Sequence, residues 1–269
     1  SDDGTPLVTG IGAVETALRA RRDGGGKCLV PYVTGGLGGD WTSTIQAVAG
    51  AGVDVIEVGI PFSDPVMDGP TIQAANDRAL GTGATPPGIL DALRGLDVGV
   101  PLVVMTYYNI AFRMGLERFA AALADSGVSG CILPDLPLEE TGPWALAADA
   151  SGVETILLAA PTTPDERLPI ICERSRGFVY GVGLLGVTGV RSALASSAST
   201  IADRLKEVTD RPVLVGVGVG TAEQAVEVSA HGDGVVVGSA VVQRMLDSAG
   251  PDGVAALASE FREALDAVF

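Results

Sequence analysis

One short pattern recurs along this chain and limits its fold more than any other feature: a helix end, a glycine, then a run of apolar and β-branched residues. It occurs at 49–58 (AGAGVDVIEV), 124–133 (ADSGVSGCIL), 148–157 (ADASGVETIL) and 229–238 (SAHGDGVVVG). Such a weak internal repeat is one helix-to-strand unit used several times. The apolar runs are near-continuous, so both faces of each strand must be covered, as in a parallel sheet flanked by helices. The pattern predicts strands at 28–33, 53–60, 101–105, 129–133, 153–159, 177–182, 212–217 and 233–237. Between them it predicts helices at 40–50, 71–80, 115–125, 138–150, 164–174, 196–208 and 221–230, with a leading helix at 11–22 and a final one at 253–267. Eight units favour an α/β chain closed into a (β/α)8 TIM barrel with an extra N-terminal helix. An open doubly wound sheet is the alternative. No linker marks a second domain, so residues 1–269 read as one domain with a polar tail at about 1–10.

Charge narrows the partners. The formal net charge of −16 argues against nucleic acid and against an anionic membrane surface. No apolar run approaches a membrane span, and the polar start from Ser1 to Gly10 lacks the basic and apolar regions of a signal peptide. Cys28, Cys131 and Cys172 are odd in number and widely spaced, which suits reduced core residues of a cytoplasmic protein.

In a barrel, chemistry sits in the loops that follow the strands. The second strand ends in the most unusual stretch of the chain, 55–70 (VIEVGIPFSDPVMDGP). One carboxylate, Glu57, interrupts its apolar run, and burying a lone carboxylate is costly unless it is neutralised or hydrogen-bonded. An ion pair with an arginine would explain it without function; general acid–base catalysis would explain it with one. The other strand-end candidates are the 61–70 loop, Tyr107 to Asn109, Asp135 and Tyr180. Three late loops are rich in glycine, at 181–189, 216–221 and 238–240, and can turn backbone N–H groups toward a phosphate near strands seven and eight. No lysine lies near them, so capture would rest on backbone donors and helix N-termini.

Several chemistries fall away. A Schiff base needs a lysine at a strand end, but Lys27 precedes strand one and Lys206 sits late in a helix. The only histidine, His231, lies just before strand eight, at the wrong barrel end for a metal cluster or a serine triad. Carboxylates, tyrosines and backbone donors remain. They can break a carbon–carbon bond if the substrate supplies its own electron sink.

The segments PYVTGG, VIEVGIPFSDPVMDGPTIQAAN, YYNIAF, LPDLPLEE, YGVGLLGVTGVR, VGVGVGTAEQ and VVVGSAVV, in this order between residues 28 and 246, resemble the α subunit of tryptophan synthase. The resemblance implies a lyase that cleaves indole-3-glycerol phosphate to indole and glyceraldehyde 3-phosphate in tryptophan biosynthesis. It implies that Glu57 is the general acid–base, that Asp68 contacts the indole N–H and stabilises its positive charge, and that Tyr180 helps place the glutamate. Tyr32 would line the indole pocket, Thr188 would meet the aspartate on closure, and Gly189, Gly218, Gly238 and Ser239 would hold the phosphate. Asp64, Asn109, Asp135 and Pro137 match the face that meets the β subunit. An α2β2 heterotetramer follows, with no cofactor in this chain and pyridoxal phosphate on the β subunit.

Three departures accompany the likeness. Val217 stands where many members carry Phe, which predicts an altered indole or phosphate-side contact. The 183–186 segment lacks the Arg or Ser of some relatives, and the glycine-rich 35–39 turn is atypical. Competing readings are a stand-alone lyase, a non-catalytic activating subunit and another phosphate-binding barrel such as an epimerase or isomerase. The presence of both Glu57 and Asp68 argues against the non-catalytic form.

Overall fold

The computed structural model describes residues 10–183, 191–216 and 218–269, with the backbone alone for 191–196. Eight parallel strands close into a barrel in chain order, each hydrogen-bonded to the next and the eighth to the first. The strands are β1 (Cys28–Thr34), β2 (Ile56–Gly59), β3 (Leu102–Met105), β4 (Val128–Ile132), β5 (Glu154–Ala159), β6 (Val179–Val182), β7 (Val213–Gly216) and β8 (Gly234–Val237). The closed barrel replaces the open-sheet alternative.

Each strand divides its residues between two cores by the two-residue period of extended chain. Leu29, Val33, Ile56, Val58, Leu102, Val104, Val213, Val215, Val235 and Val237 face outward and pack against the helices. Cys28, Val30, Val55, Val103, Ile132, Ile156, Leu214 and Val236 fill the barrel interior. Glu57 is two residues from Val55, so the same alternation points it inward. The N-terminal end of the barrel is closed by helix α1 (Ala13–Asp23), whose Val14 and Leu18 belong to the interior cluster.

The outer layer is α2 (Trp41–Ala49), α3 (Pro70–Gly81), α4 (Pro86–Leu93), α5 (Tyr108–Met114), α6 (Leu116–Asp125), α7 (Thr141–Ala150), α8 (Leu168–Arg174), α9 (Arg191–Val208), α10 (Ala222–Ser229), α11 (Ser239–Leu246) and α12 (Gly250–Val268). Three of these helices, α4, α5 and α11, are not in the predicted set. Helix α4 begins with two prolines, which the first helical turn accepts because its N–H groups have no intrahelical partner, and Thr85 caps it by accepting from Gly88 N–H. Helix α5 starts within the Tyr-Tyr-Asn stretch and owes its cap to a distant residue, described below. Helix α9 begins at Arg191, five residues before the predicted start. Helix α11 is separate from α12; Ser248, with φ of 58°, lies between them.

Candidate active site

Glu57 sits at the second residue of β2, between Tyr32 on β1 and Val103 on β3 in the strand register. It is 1% exposed, and its Oε2 has no hydrogen-bond partner. An arginine partner, the non-functional explanation, is not there among the described residues. Burial, reinforced by the negative charge of Asp68, pushes the carboxyl up to about 8. Glu57 therefore carries a proton at neutral pH, as a general acid must.

Asp68 approaches the same space from the β2 loop. The Tyr107 hydroxyl donates to its Oδ2 at 2.9 Å, and the Met67 backbone N–H donates to that hydroxyl at 2.9 Å. Burial raises the Asp68 carboxyl above its usual range, and the bond from Tyr107 opposes the rise. A hydrogen bond to the ionised form is present at Asp68, and among the described residues none reaches Glu57. That difference assigns charge: when two nearby carboxylates compete, the proton resides on the one without a donor.

The tyrosines pack around this pair through missing side chains. A Cβ at Gly59 would lie 1.7 Å from the Tyr32 hydroxyl oxygen, and one at Gly216 would lie 2.5 Å from that of Tyr180. Glycine at these two strand ends is what lets the rings lie across the barrel mouth. Both phenols are pushed well up, first by burial and then by the charges of Glu57 and Asp68, so they remain neutral donors.

On the opposite rim, Gly218 adopts a left-handed φ of 64° after β7, and Gly238 precedes the first turn of α11, where Ser239 stands. Gly238 and Ser239 open α11, whose first-turn N–H groups have no intrahelical partner and suit an anion. Thr188, Gly189 and Val217 lie outside the described residues. Lys27 and Lys206 are both at the other barrel end: Lys27 donates to Gly232 O, and Lys206 pairs with Asp233 at 2.9 Å. His231 lies there too, on the surface, against Asp203.

Asp64, Asn109, Asp135 and Pro137 are exposed on the segments that follow β2, β3 and β4, Asn109 within α5. Val66, Met67 and Phe112, exposed apolar side chains on these same stretches, were not singled out from sequence. Asp135 also has a local duty: its Oδ1 accepts from Tyr108 N–H at 2.8 Å, capping the first turn of α5. Tyr107 was visible only as a polar aromatic residue at a strand end; its bond to Asp68 spans 39 residues of sequence.

A model of the family described as tryptophan synthase alpha chain matches residues 18–265. A protein of that name from Streptomyces coelicolor is 46% identical over 236 residues, 86% of this chain and 85% of its own. Another from Gloeobacter violaceus is 45% identical over 259 residues, 94% and 92% of the two chains. Among solved structures, Mycobacterium tuberculosis tryptophan synthase superimposes with a TM-score of 0.87 at 36% identity, covering 95% of this chain and 99% of that one. The alpha chain from Legionella pneumophila does so with a TM-score of 0.85 at 30% identity, covering 96% and 99%.

Proposed function

This chain belongs to the tryptophan synthase alpha chain family, and from that premise we propose how its residues perform the family's reaction. The chain is a lyase that cleaves indole-3-glycerol phosphate to indole and glyceraldehyde 3-phosphate. It carries no cofactor of its own; pyridoxal phosphate belongs to the β subunit.

The reaction needs an electron sink at the indole and a proton acceptor at the glycerol hydroxyl. Glu57, protonated at neutral pH, gives its proton to indole C3 and turns the ring into an iminium. Asp68, ionised, accepts the indole N–H and stabilises the charge that develops there. The bond between C3 and the glycerol carbon then breaks. Its electron pair returns to the ring, restoring indole, while Glu57, now a carboxylate, takes the hydroxyl proton and leaves an aldehyde. Tyr32 and Tyr180 wall the indole, with Tyr180 beside the glutamate. Gly189, Gly218, Gly238 and Ser239 hold the phosphate, Thr188 meets Asp68 when the site closes, and Val217 contributes an indole or phosphate-side contact. The single observation behind this assignment is the unpartnered Oε2 of Glu57 facing an aspartate that has a donor.

As an α subunit the chain has a β subunit as partner. We assign the exposed Asp64, Asn109, Asp135 and Pro137, with Val66, Met67 and Phe112, to that contact, in an α2β2 assembly of single-domain α chains in the cytoplasm. Among the described residues no helix is long and apolar enough to cross a membrane. The deciding assay measures indole release from indole-3-glycerol phosphate by the purified chain, alone and with a β subunit. Release that accelerates on complex formation is expected. No release overturns the catalytic assignment, and release without any complex overturns the partner face.

A further inference from the structure

Tyr107 lies between β3 and α5, as the residue that precedes the first turn of that helix. Its ring is 4% exposed and stacks on Phe62, with centroids 5.0 Å apart and planes 21° from parallel. The start of α5 is fixed from outside by Asp135 on Tyr108 N–H. The ring thus has little freedom, and its hydroxyl reaches into the loop that carries Asp68.

A phenol oxygen has one proton to give and lone pairs to accept with. The Met67 N–H occupies the acceptor side, which directs the single proton to Asp68 Oδ2. Donor chains of this kind polarise along their length, so the last bond gains strength from the first. The aspartate backbone is fixed as well: its N–H donates to Pro65 O at 3.0 Å, and its carbonyl accepts from the Gln73 side chain at 2.8 Å. Among the described residues, none donates a hydrogen bond to Asp68 Oδ1.

We propose that Tyr107 is the positioning residue of the reaction: it holds Oδ2 of Asp68 so that Oδ1 alone is presented to the indole N–H. The proposal rests on the retro-aldol reading above and adds a residue to it. Tyr107 touches no reacting atom and acts only through the aspartate. The titratable groups facing Asp68 are Glu57 on β2, Tyr32 on β1, Tyr180 on β6 and Tyr107 itself, with Asp135 acting in turn on Tyr107. Of these only Tyr107 gives the carboxylate a hydrogen bond among the described residues. Its loss therefore favours the protonated, catalytically useless form of Asp68.

The test is Tyr107→Phe, which removes one oxygen and keeps the ring on Phe62. A lost hydrogen bond to a charged group predicts a fall in kcat of between about 10- and 100-fold, with KM for indole-3-glycerol phosphate changed much less. The acid limb of the rate profile should move to higher pH, because the ionised aspartate has lost its donor. Phe62→Leu, which disturbs the stack and leaves the hydroxyl, should not move that limb. In an Asp68→Asn background, Tyr107→Phe should cost nothing further. Thermal melting establishes that each variant is folded. An unmoved acid limb, or an equal loss in the Asp68→Asn background, overturns the proposal. Failure of the wild-type chain to release indole would instead overturn the reaction itself, so the two failures are distinguishable.

Discussion

Two glutamates on barrel strands share their residue type and their depth, and differ in what surrounds them. Glu57 on β2 is 1% exposed and Glu154 at the start of β5 is 5% exposed. At both, burial is the main influence and raises the carboxyl above its usual range. Glu154, however, accepts from Val14 N–H at 2.7 Å and Glu15 N–H at 3.1 Å, the orphan donors of the first turn of α1. Its carboxyl carbon lies so close to Gly12 that a Cβ there would stand 2.3 Å away. Glu57 has no donor on Oε2 and a second carboxylate for a neighbour. One glutamate pins the helix that closes the barrel floor; the other is left poised at the mouth. The contrast separates a buried charge built for structure from one built for proton transfer, and it does so by pairing, not by burial.

The sharpest way to break the contrast is Glu57→Gln. General acid–base catalysis predicts a loss of indole release of about 10²- to 10⁴-fold. Stability should move the other way. The unfolded carboxyl ionises near its ordinary value, while the folded one holds its proton to about 8. Between those values the unfolded state binds fewer protons, so wild-type stability falls as pH rises. The amide escapes that penalty. The variant should gain on the wild type by roughly 1–4 kcal/mol between about pH 4.5 and 8, with little difference below that window. Denaturant unfolding at pH 5 and pH 8 measures the gap; an equal offset at both would mean that Glu57 does not carry its proton into the folded state.

Glu154→Gln is the mirror experiment and the next largest effect. The two α1 N–H groups bond different carboxylate oxygens, so the amide oxygen keeps only one of them and the NH2 is set against the other donor. Unfolding free energy should drop by about 1–3 kcal/mol, while indole turnover stays within about twofold of wild type. A fold that is unaffected, with catalysis lost, would reverse the roles of the two glutamates.

Much of this was legible in the sequence because it is local. Eight apolar runs alternating with helix-like segments marked the strands, and the inward position of Glu57 follows from its two-residue spacing from Val55. The carboxylate was conspicuous because its neighbours are apolar and β-branched. Glu154 sits in an equally apolar run and drew no notice, since its partners Val14 and Glu15 are 140 and 139 residues away. Tyr107 was equally opaque, being joined to Asp68 across 39 residues. Helix α5 was missed for the same reason: its cap comes from Asp135, 27 residues downstream of Tyr108. The role of Asp68 came from the family likeness, whereas the phosphate loops stood out as glycine-rich stretches after the late strands. Spacing alone offers no way to decide which of several loop carboxylates faces a ring nitrogen.

Asp135 offers the smallest effect and the cleanest discrimination, because it is a paired carboxylate at the catalytic end. If position in the barrel decided function, its loss should resemble that of Glu57. If pairing decides, it should resemble a weaker Glu154. Removing a cap by Asp135→Ala costs about 1 kcal/mol, and Asp135→Asn, which still caps, should recover most of it. Because α5 begins immediately after Tyr107, a slight loosening should lower turnover by no more than about twofold in the chain assayed without its partner. Working without the β subunit keeps any contact at the exposed face out of the measurement. A loss of a hundredfold or more in the isolated chain would mean that Asp135 takes part in the chemistry, and that pairing is the wrong criterion for separating the two glutamates.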